Sequence, residues 1–338
     1  MPTMRPPMRQ PKPDLSSRVC MPCAQYLAAT RDGLAKFRVV DVPFRAQRLE
    51  NLGLRRYLQV PNGTSGAVVV AVSPLSALAS KEENSTNALL IDDVVTAIDG
   101  HLVGDDLSVA LRPGERVQVD YLITHKVADT PTELQILRSG VPLTLHTSLA
   151  PLPPLLPRWH RFDCVPEWVI IGGLLFAPLT APLIEEASRD HDSGMSSYAH
   201  GTYTKTYGRH GFRTDPDREI VVLINVLSGS DVNHGYESFS YKWKELVTFN
   251  GETVLSLAGL YAAWQRAASA EFLEFCFGDA ETAWYRKIVL DGALVRESEE
   301  HLLALHGIPA RASMGVLNQT HRVALHAANG ATLPPVHP

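Results

Sequence analysis

Five aspartates lie close together in the stretch ALLIDDVVTAIDGHLVGDD, residues 88–106. Clustered carboxylates could bind a divalent cation or supply a general acid and a general base. The five are Asp92, Asp93, Asp99, Asp105 and Asp106. Their spacing lacks the turn glycine and the closing glutamate of an EF-hand loop. An aspartate before a glycine is typical of hairpin turns, because its side chain bonds to nearby backbone. We therefore predict that these acids build a turn, with the last two solvated, and that they bind no metal.

Two histidine-containing patterns could also support chemistry. HDSGMSS, residues 191–197, places a serine beside an aspartate and a histidine. A catalytic triad needs these groups to converge in space beside an oxyanion hole, which adjacent residues rarely achieve. The second set has a spacing that fits no helix face and no familiar ligand pattern; it comprises His191, His200, His210, Asp190 and Asp192. We predict no catalytic residue and no metal site in this chain.

The cysteines and the composition narrow the class of protein. Cys20 and Cys23 form a lone C-x-x-C without a second pair at zinc-ribbon spacing, and four cysteines in 338 residues do not make a disulfide scaffold. We therefore expect a reducing intracellular compartment and no cofactor. A net charge of −5 gives no general attraction to nucleic acid. Trp243, Trp264 and Trp284 have core-like positions rather than those of a base-stacking platform.

The longest apolar stretch is WVIIGGLLFAPLTAPLI, residues 168–184. It is shorter than the roughly 20 residues of a membrane-spanning helix, and two glycines and two prolines interrupt it. We predict no membrane span, and we interpret Val169–Phe176 as one buried strand.

One order of elements occurs twice along the chain. Val94–Ile98 predicts a strand that ends in the turn Asp99-Gly100, and Glu245–Val254 repeats the pattern with an Asn-Gly turn. A helix and two strands should follow each turn, the first helix at Val117–Lys126 and the second at Leu255–Ala268. The predicted fold class is therefore α+β, with two copies of one small module, each a partly open β-barrel or sandwich capped by helices.

The same pass gives the domain organisation. The segment PLPPLLP, which begins at Pro151, is a stiff linker between the copies. The predicted parts are a disordered tail at 1–20, a linker helix at 21–38, a first domain at 39–150, a Pro-rich linker at 151–158, a second domain at 159–315 and a disordered tail at 316–338.

Several blocks of the sequence together resemble one known family. LLIDDVVTAIDGHLV, followed by LQILRSGVPLTLHTSL, is similar to the PDZ domain of Deg/HtrA serine proteases, whose signature is D-V, a short mainly hydrophobic run and then [DN]-G. RPGERVQVDYLITHK and PEWVIIGGLLFAPLTAPLI narrow the resemblance to the plant and algal Deg type with a second, Do-like PDZ domain. LVTFNGETVLSLAGL and HLLALHGIPARASM continue it in order. The resemblance runs from about Met21 to Met314.

The resemblance implies a binding activity and leaves the catalytic question open. The family's barrel with its G-N-S-G-G loop has no counterpart here, so we expect the chain to begin where the protease domain ends. One hypothesis is a PDZ-type peptide-binding and assembly module without catalytic power. The alternative is the C-terminal part of a complete serine endopeptidase. The implied partners are peptides or unfolded segments, an internal segment of the chain included, and Deg subunits through self-association. The family's compartments include the chloroplast and the nucleus.

The expected binding residues belong to the loop that would hold a ligand's terminal carboxylate. Such a loop favours glycine because the backbone must approach the ligand closely. In the second domain it comprises Ile171, Gly172, Gly173 and Leu174, and it leads into the strand with Phe176. In the first domain the matching residues are Val42-Pro43-Phe44, where proline removes a donor. We therefore expect the second domain to bind peptide, with Phe44 at the weaker site; close strand packing is the competing explanation for the glycines.

Overall fold

The computed structural model describes residues 40–79, 87–157, 165–189, 203, 211–279 and 282–320. The chain divides into two compact units, Met1–Leu152 and Pro153–Pro338, each with its own antiparallel sheet. The predicted α+β class is confirmed. No helix in the described ranges is both long and apolar enough to cross a membrane.

The first unit is built on a sheet in the order β1-β2-β3-β7-β8, with β4 paired to β3 and a separate β5-β6 hairpin. Its strands are β1 Phe44–Arg48, β2 Ala67–Val72, β3 Val94–Ile98, β4 His101–Leu102, β5 Ser108–Arg112, β6 Glu115–Gln118, β7 Pro131–Arg138 and β8 Val141–Ser148. Its helices are α1 Leu52–Tyr57 and α2 Asp120–Thr124. Phe44, Val95, Ile98 and Ile123 are among the fully or nearly fully buried residues of its core.

The second unit has the sheet order β15-β14-β12-β11-β10-β9, with β13 paired to β12. Its strands are β9 Val169–Ile171, β10 Leu174–Pro178, β11 Val221–Val226, β12 Glu245–Phe249, β13 Glu252–Thr253, β14 Phe272–Asp279 and β15 Thr282–Asp291. Its described helices include α3 Ala181–Arg189, α4 Ser238–Tyr241, α5 Leu257–Arg266 and α6 Gly292–Leu305, with a 3-10 turn at Asp231–Asn233 and a further helical segment at 314–320. Phe176, Phe249, Phe275 and Phe277 form the centre of its core, with ring centroids 5.0 to 6.3 Å apart.

The two sheets repeat each other residue by residue. Pairing of β3 with β7 has a bulge between Val95 and Ala97, and pairing of β12 with β14 has one between Leu246 and Thr248. This register places Ile98 and Phe249 at equivalent positions, and the same strand order continues on both sides. The predicted duplication is therefore present in the topology, and the second unit adds β9 at one end of its sheet.

Both copies carry the predicted Asx-Gly turn. Asp99 and Gly100 have φ of 49° and 78°, and Asn250 and Gly251 have φ of 46° and 81°. Positive φ at both central residues defines the hairpin turn that Asp-Gly and Asn-Gly sequences favour. The Asx side chain also accepts the backbone N–H of Glu133 in the first unit and of Glu274 in the second. Local sequence therefore determines this part of the fold.

Three predicted elements need correction. Val169–Phe176 is two strands, because Gly172-Gly173 turns the chain through a hairpin. Residues 117–126 are not one helix, since β6 continues to Gln118 and α2 spans only Asp120–Thr124. Residues 314–320 are helical and Val316 is fully buried, so the second unit extends beyond 315, where the sequence predicts a disordered tail.

Candidate functional site

The predicted carboxylate loop of the second unit is a tight hairpin turn. β9 and β10 pair antiparallel with Ile171 opposite Leu174, which leaves a two-residue connection. Gly172 and Gly173 form it with φ of 55° and 83°. Two-residue hairpins of this kind need positive φ at both positions, and glycine adopts such values without strain. The two glycines therefore specify a chain reversal.

The turn is also closely packed inside the second unit. The Asn233 side-chain amide donates to the Gly172 and Leu227 carbonyls, at 3.1 and 2.9 Å, and the Leu227 N–H donates to the Gly173 carbonyl. A Cβ at Gly173 would lie 2.3 Å from Asn233 Nδ2, and one at Gly172 would lie 2.5 Å from Leu290 Cδ1. Both contacts are shorter than real Cβ contacts. Close packing is thus a sufficient reason for both glycines.

The hairpin places β9 along the outer edge of β10. Leu174, Leu175 and Phe176 pair with residues 171, 170 and 169 on that side, while β11 pairs with β10 on the other. A PDZ ligand adds as a strand to an open sheet edge. The edge of β10 along Leu174–Phe176 is occupied by the chain itself.

The outer side of β9 is covered in turn by the segment at residues 311–313. The Ile170 N–H donates to the Arg311 carbonyl at 2.8 Å, and the Ser313 N–H donates to the Trp168 carbonyl at 3.0 Å. Arg311 pairs with buried Glu299 at 3.1 Å and lies over the Trp264 ring at 4.8 Å. Burial of Glu299 raises the pKa of its carboxyl. These contacts hold the cover of β9 in place.

In the first unit, the residues equivalent to the two glycines are Val42 and Pro43. The Ser73 N–H donates to the Pro43 carbonyl at 2.7 Å, as the Leu227 N–H does to Gly173 at 2.8 Å. Proline is restricted to φ near −65°, and a β-branched valine strongly disfavours positive φ. The hairpin of the second unit cannot form there. In the described part of the chain, no strand pairs with β1 on the side away from β2.

The backbone of β1 presents hydrogen-bonding groups on that outer side. The Val69 N–H donates to Asp93 O and the Val69 carbonyl accepts from Asp92 N, so the polar groups of Val69 point away from β1. Ala46 lies opposite Val69. In an antiparallel pair this is a non-hydrogen-bonded position, so the N–H and C=O of Ala46 point away from β2. No strand of the described residues pairs with them.

The side chain of Phe44, on β1, packs in the apolar core of the first unit. Phe44 is 2% exposed and belongs to one hydrophobic cluster with Val42 of the preceding segment and with Val119 and Ile123 at α2. The ring of Tyr121, on α2, lies 3.7 Å from that of His125, the residue that follows the helix, and Tyr121 is exposed. The sequence predicts weaker binding in this region than in the second unit because of Pro43. The same proline, however, also prevents a covering hairpin.

The acidic cluster is structural, as predicted, but its members have different roles. Asp93 is buried and pairs with Arg138 at 2.7 and 2.8 Å. Asp105 accepts from Arg55 at 2.9 Å and from the Gly66 N–H at 3.0 Å. Asp106 accepts from the hydroxyl and the N–H of Ser108, and these bonds lower the pKa of its carboxyl. The prediction that Asp105 and Asp106 are merely solvated is wrong, because both bind specific donors.

Within the described ranges, no group of three or more His, Cys, Asp or Glu side chains could hold a metal ion. The HDSGMSS segment and His200 and His210 lie outside the described residues, as do Cys20 and Cys23. Cys276 is a partly buried free thiol 3.4 Å from Glu274 Oε1.

Comparisons with known proteins match the second unit to one domain family and most of the chain to Do-like proteases. Residues 157–315 match the family model described as a PDZ domain. The chain is 28% identical over 81% of its length to "Protease Do-like 4, mitochondrial" of Arabidopsis thaliana, and 30% identical over 80% to "Protease Do-like 2, chloroplastic" of the same plant. It is 31% identical over 64% to "Putative protease Do-like 3, mitochondrial", also from Arabidopsis thaliana. These alignments cover 45%, 40% and 34% of the three relatives, so the chain spans less than half their length.

Proposed function

Since residues 157–315 carry a PDZ domain and about four fifths of the chain is homologous to Do-like proteases, we propose that this protein is a peptide-binding and assembly module of the Deg type. The proposal includes a PDZ function for the first unit, which lies outside the matched residues but shares the strand order and the bulge positions of the second.

The binding site that we propose is the outer edge of β1. The observation that carries this proposal is the contrast between the equivalent strands: β9 pairs with β10, whereas no described strand pairs with β1 on its outer side. An extended peptide would bond to the backbone of Ala46 and place apolar side chains near Phe44 and Ile123. Binding at Ile171, Gly172, Gly173, Leu174 and Phe176 would require the displacement of β9.

The ligand of this site is an extended apolar segment rather than a free C-terminus. A terminal carboxylate is held by successive backbone N–H groups, and Pro43 removes one of them from the loop before β1. Main-chain pairing along β1 needs no terminal charge. Internal segments of unfolded proteins therefore fit the site, and an amide-capped peptide should bind within about threefold of the free acid, because it forms the same strand bonds.

Substitution of Ala46 tests the site. Ala46→Pro removes the outward N–H without removing a bond to β2, so it should weaken the binding of a fluorescein-labelled apolar peptide at least about tenfold in an anisotropy titration. Ala46→Val keeps the N–H and is the matched control. An unchanged dissociation constant for Ala46→Pro, with its far-UV circular dichroism melt preserved, would refute the assignment to β1.

The second candidate is that this chain is the C-terminal part of a complete Deg-type serine endopeptidase. The relatives are named proteases, and each is more than twice as long as the part that aligns. Under our proposal the chain itself does not hydrolyse protein, and catalysis belongs to a protease domain of the Deg type. Transcript sequence upstream of Met1 tests this alternative: an in-frame G-N-S-G-G barrel would support it.

We also propose an organellar location, because the relatives are named mitochondrial and chloroplastic; a fluorescent fusion of the full transcript product would test it.

A further inference from the structure

At one position of β8, the last strand of the first unit, a side chain hydrogen-bonds to both outward-facing backbone groups. The Asn87 side-chain amide donates to the His146 carbonyl at 2.9 Å, and its oxygen accepts the His146 N–H at 3.2 Å. Among the described strands β8 is the last of the sheet, so these backbone groups point outward. One asparagine side chain thereby makes the two bonds that an added strand would make there. The neighbouring Ala88 carbonyl accepts from Arg138 at 2.6 Å, which fixes the position of Asn87.

The second unit closes the equivalent position by different chemistry. Tyr236 Oη donates to the Val289 carbonyl at 3.1 Å and accepts the Val289 N–H at 3.0 Å. His146 pairs with Glu133 and Val289 pairs with Glu274, and both glutamates donate their N–H to the Asx residue of the repeated turn. The two backbone positions therefore correspond. Asn87 and Tyr236 also come from corresponding connections, β2 to β3 and β11 to β12.

The sequences of β8 and β15 indicate which kind of association the bonds of Asn87 and Tyr236 prevent. β8 has the sequence VPLTLHTS, with eight residues and no formal charge. Two copies of such a strand can pair antiparallel with no like charges opposed, which is the usual route of edge-to-edge association. β15 carries Arg286 and Lys287, and Tyr241 donates to the Lys287 carbonyl as an additional closure. Charge therefore opposes self-pairing at β15, whereas at β8 the protection comes from Asn87 and from Pro142, which has no N–H to donate.

We propose that Asn87 and Tyr236 are edge-closing residues, and that Asn87 prevents β8 from pairing with β8 of a second copy of this chain. The inference does not depend on peptide binding at β1, because β1 and β8 lie at opposite ends of the sheet.

The test compares self-association of four full-length proteins by size-exclusion chromatography with light scattering and by sedimentation. They are the parent chain, Asn87→Ala, Asn62→Ala and the double variant Asn87→Ala with Thr144→Lys. Asn87→Ala frees the His146 backbone groups, so its association constant should be at least about tenfold above that of the parent chain. Asn62→Ala, at an exposed loop position of the same unit, is the matched control and should behave like the parent. Association of Asn87→Ala no stronger than that of Asn62→Ala would overturn the proposal.

A second substitution separates edge pairing from partial unfolding. Thr144 is exposed on β8, and Thr144→Lys places a positive charge on the strand that two paired copies would bring together. In the Asn87→Ala background it should return the association constant to the parent value. If Asn87→Ala associates because the unit unfolds, Thr144→Lys will not reverse the association, and that outcome also overturns the proposal.

Discussion

Replacement of Gly173 by alanine should destabilise the second unit more than an equivalent change in an open turn. Gly173 has φ of 83°, where an L-residue costs about 1 to 2 kcal/mol. Its added Cβ would meet Asn233 Nδ2 at 2.3 Å and the Leu227 carbonyl at 3.1 Å. Displacement of the Asn233 amide weakens two buried hydrogen bonds, each of which contributes about 0.5 to 1.5 kcal/mol net. The expected loss in unfolding free energy is about 2 to 5 kcal/mol.

Gly251 provides the matched control in the same unit. Its φ is 81°, but a Cβ built there has no atom within 4 Å. Gly251→Ala should therefore cost only the backbone strain of about 1 to 2 kcal/mol. The difference between the two variants measures the packing of the β9–β10 turn.

Urea unfolding followed by tryptophan fluorescence measures both variants in the required unit. The five tryptophans all lie at or beyond residue 159, within the second unit, so the signal reports that unit alone. Equal losses for Gly173→Ala and Gly251→Ala would refute the close packing of the turn, and with it the covering role of β9.

Three further changes test other parts of the account. Arg138→Met should cost the first unit about 3 to 5 kcal/mol in urea unfolding followed by far-UV circular dichroism, because it leaves the buried Asp93 carboxylate without its partner; a loss below about 1 kcal/mol would contradict this role. Burial raises the pKa of the Glu299 carboxyl, so this group stabilises the folded state most at low pH and loses that contribution as pH rises through its folded pKa. The melting temperature of the wild type minus that of Glu299→Gln should therefore decrease as pH rises through this range. A difference that does not change with pH would refute the assignment. The purified chain should not cleave casein. Cleavage that Ser193→Ala abolishes would contradict this prediction and indicate that Ser193 is catalytic.

Local signals predicted much of the fold. The Asp99-Gly100 and Asn250-Gly251 turns follow from residue types that tolerate positive φ, and a strand precedes each turn as predicted. The break within 169–176 was missed because a continuous apolar run has no period that separates one buried strand from two. The role of Asp93 was missed because its partner, Arg138, lies 45 residues away. Nor does periodicity alone indicate that β9 folds back over β10.

The central claim is that the sheet edge is open at β1 in the first unit and covered by β9 in the second. Amide hydrogen exchange at Ala46 and Phe176 tests this claim most directly. Phe176 faces Val169 of β9, whereas Ala46 has its N–H on the outer side of β1. Hydrogen–deuterium exchange read by NMR should show Phe176 protected in the free protein and Ala46 exchanging rapidly, with Ala46 gaining protection when an apolar peptide is added. Protection of Ala46 in the free protein, or a peptide-induced change at Phe176 with none at Ala46, would contradict the account.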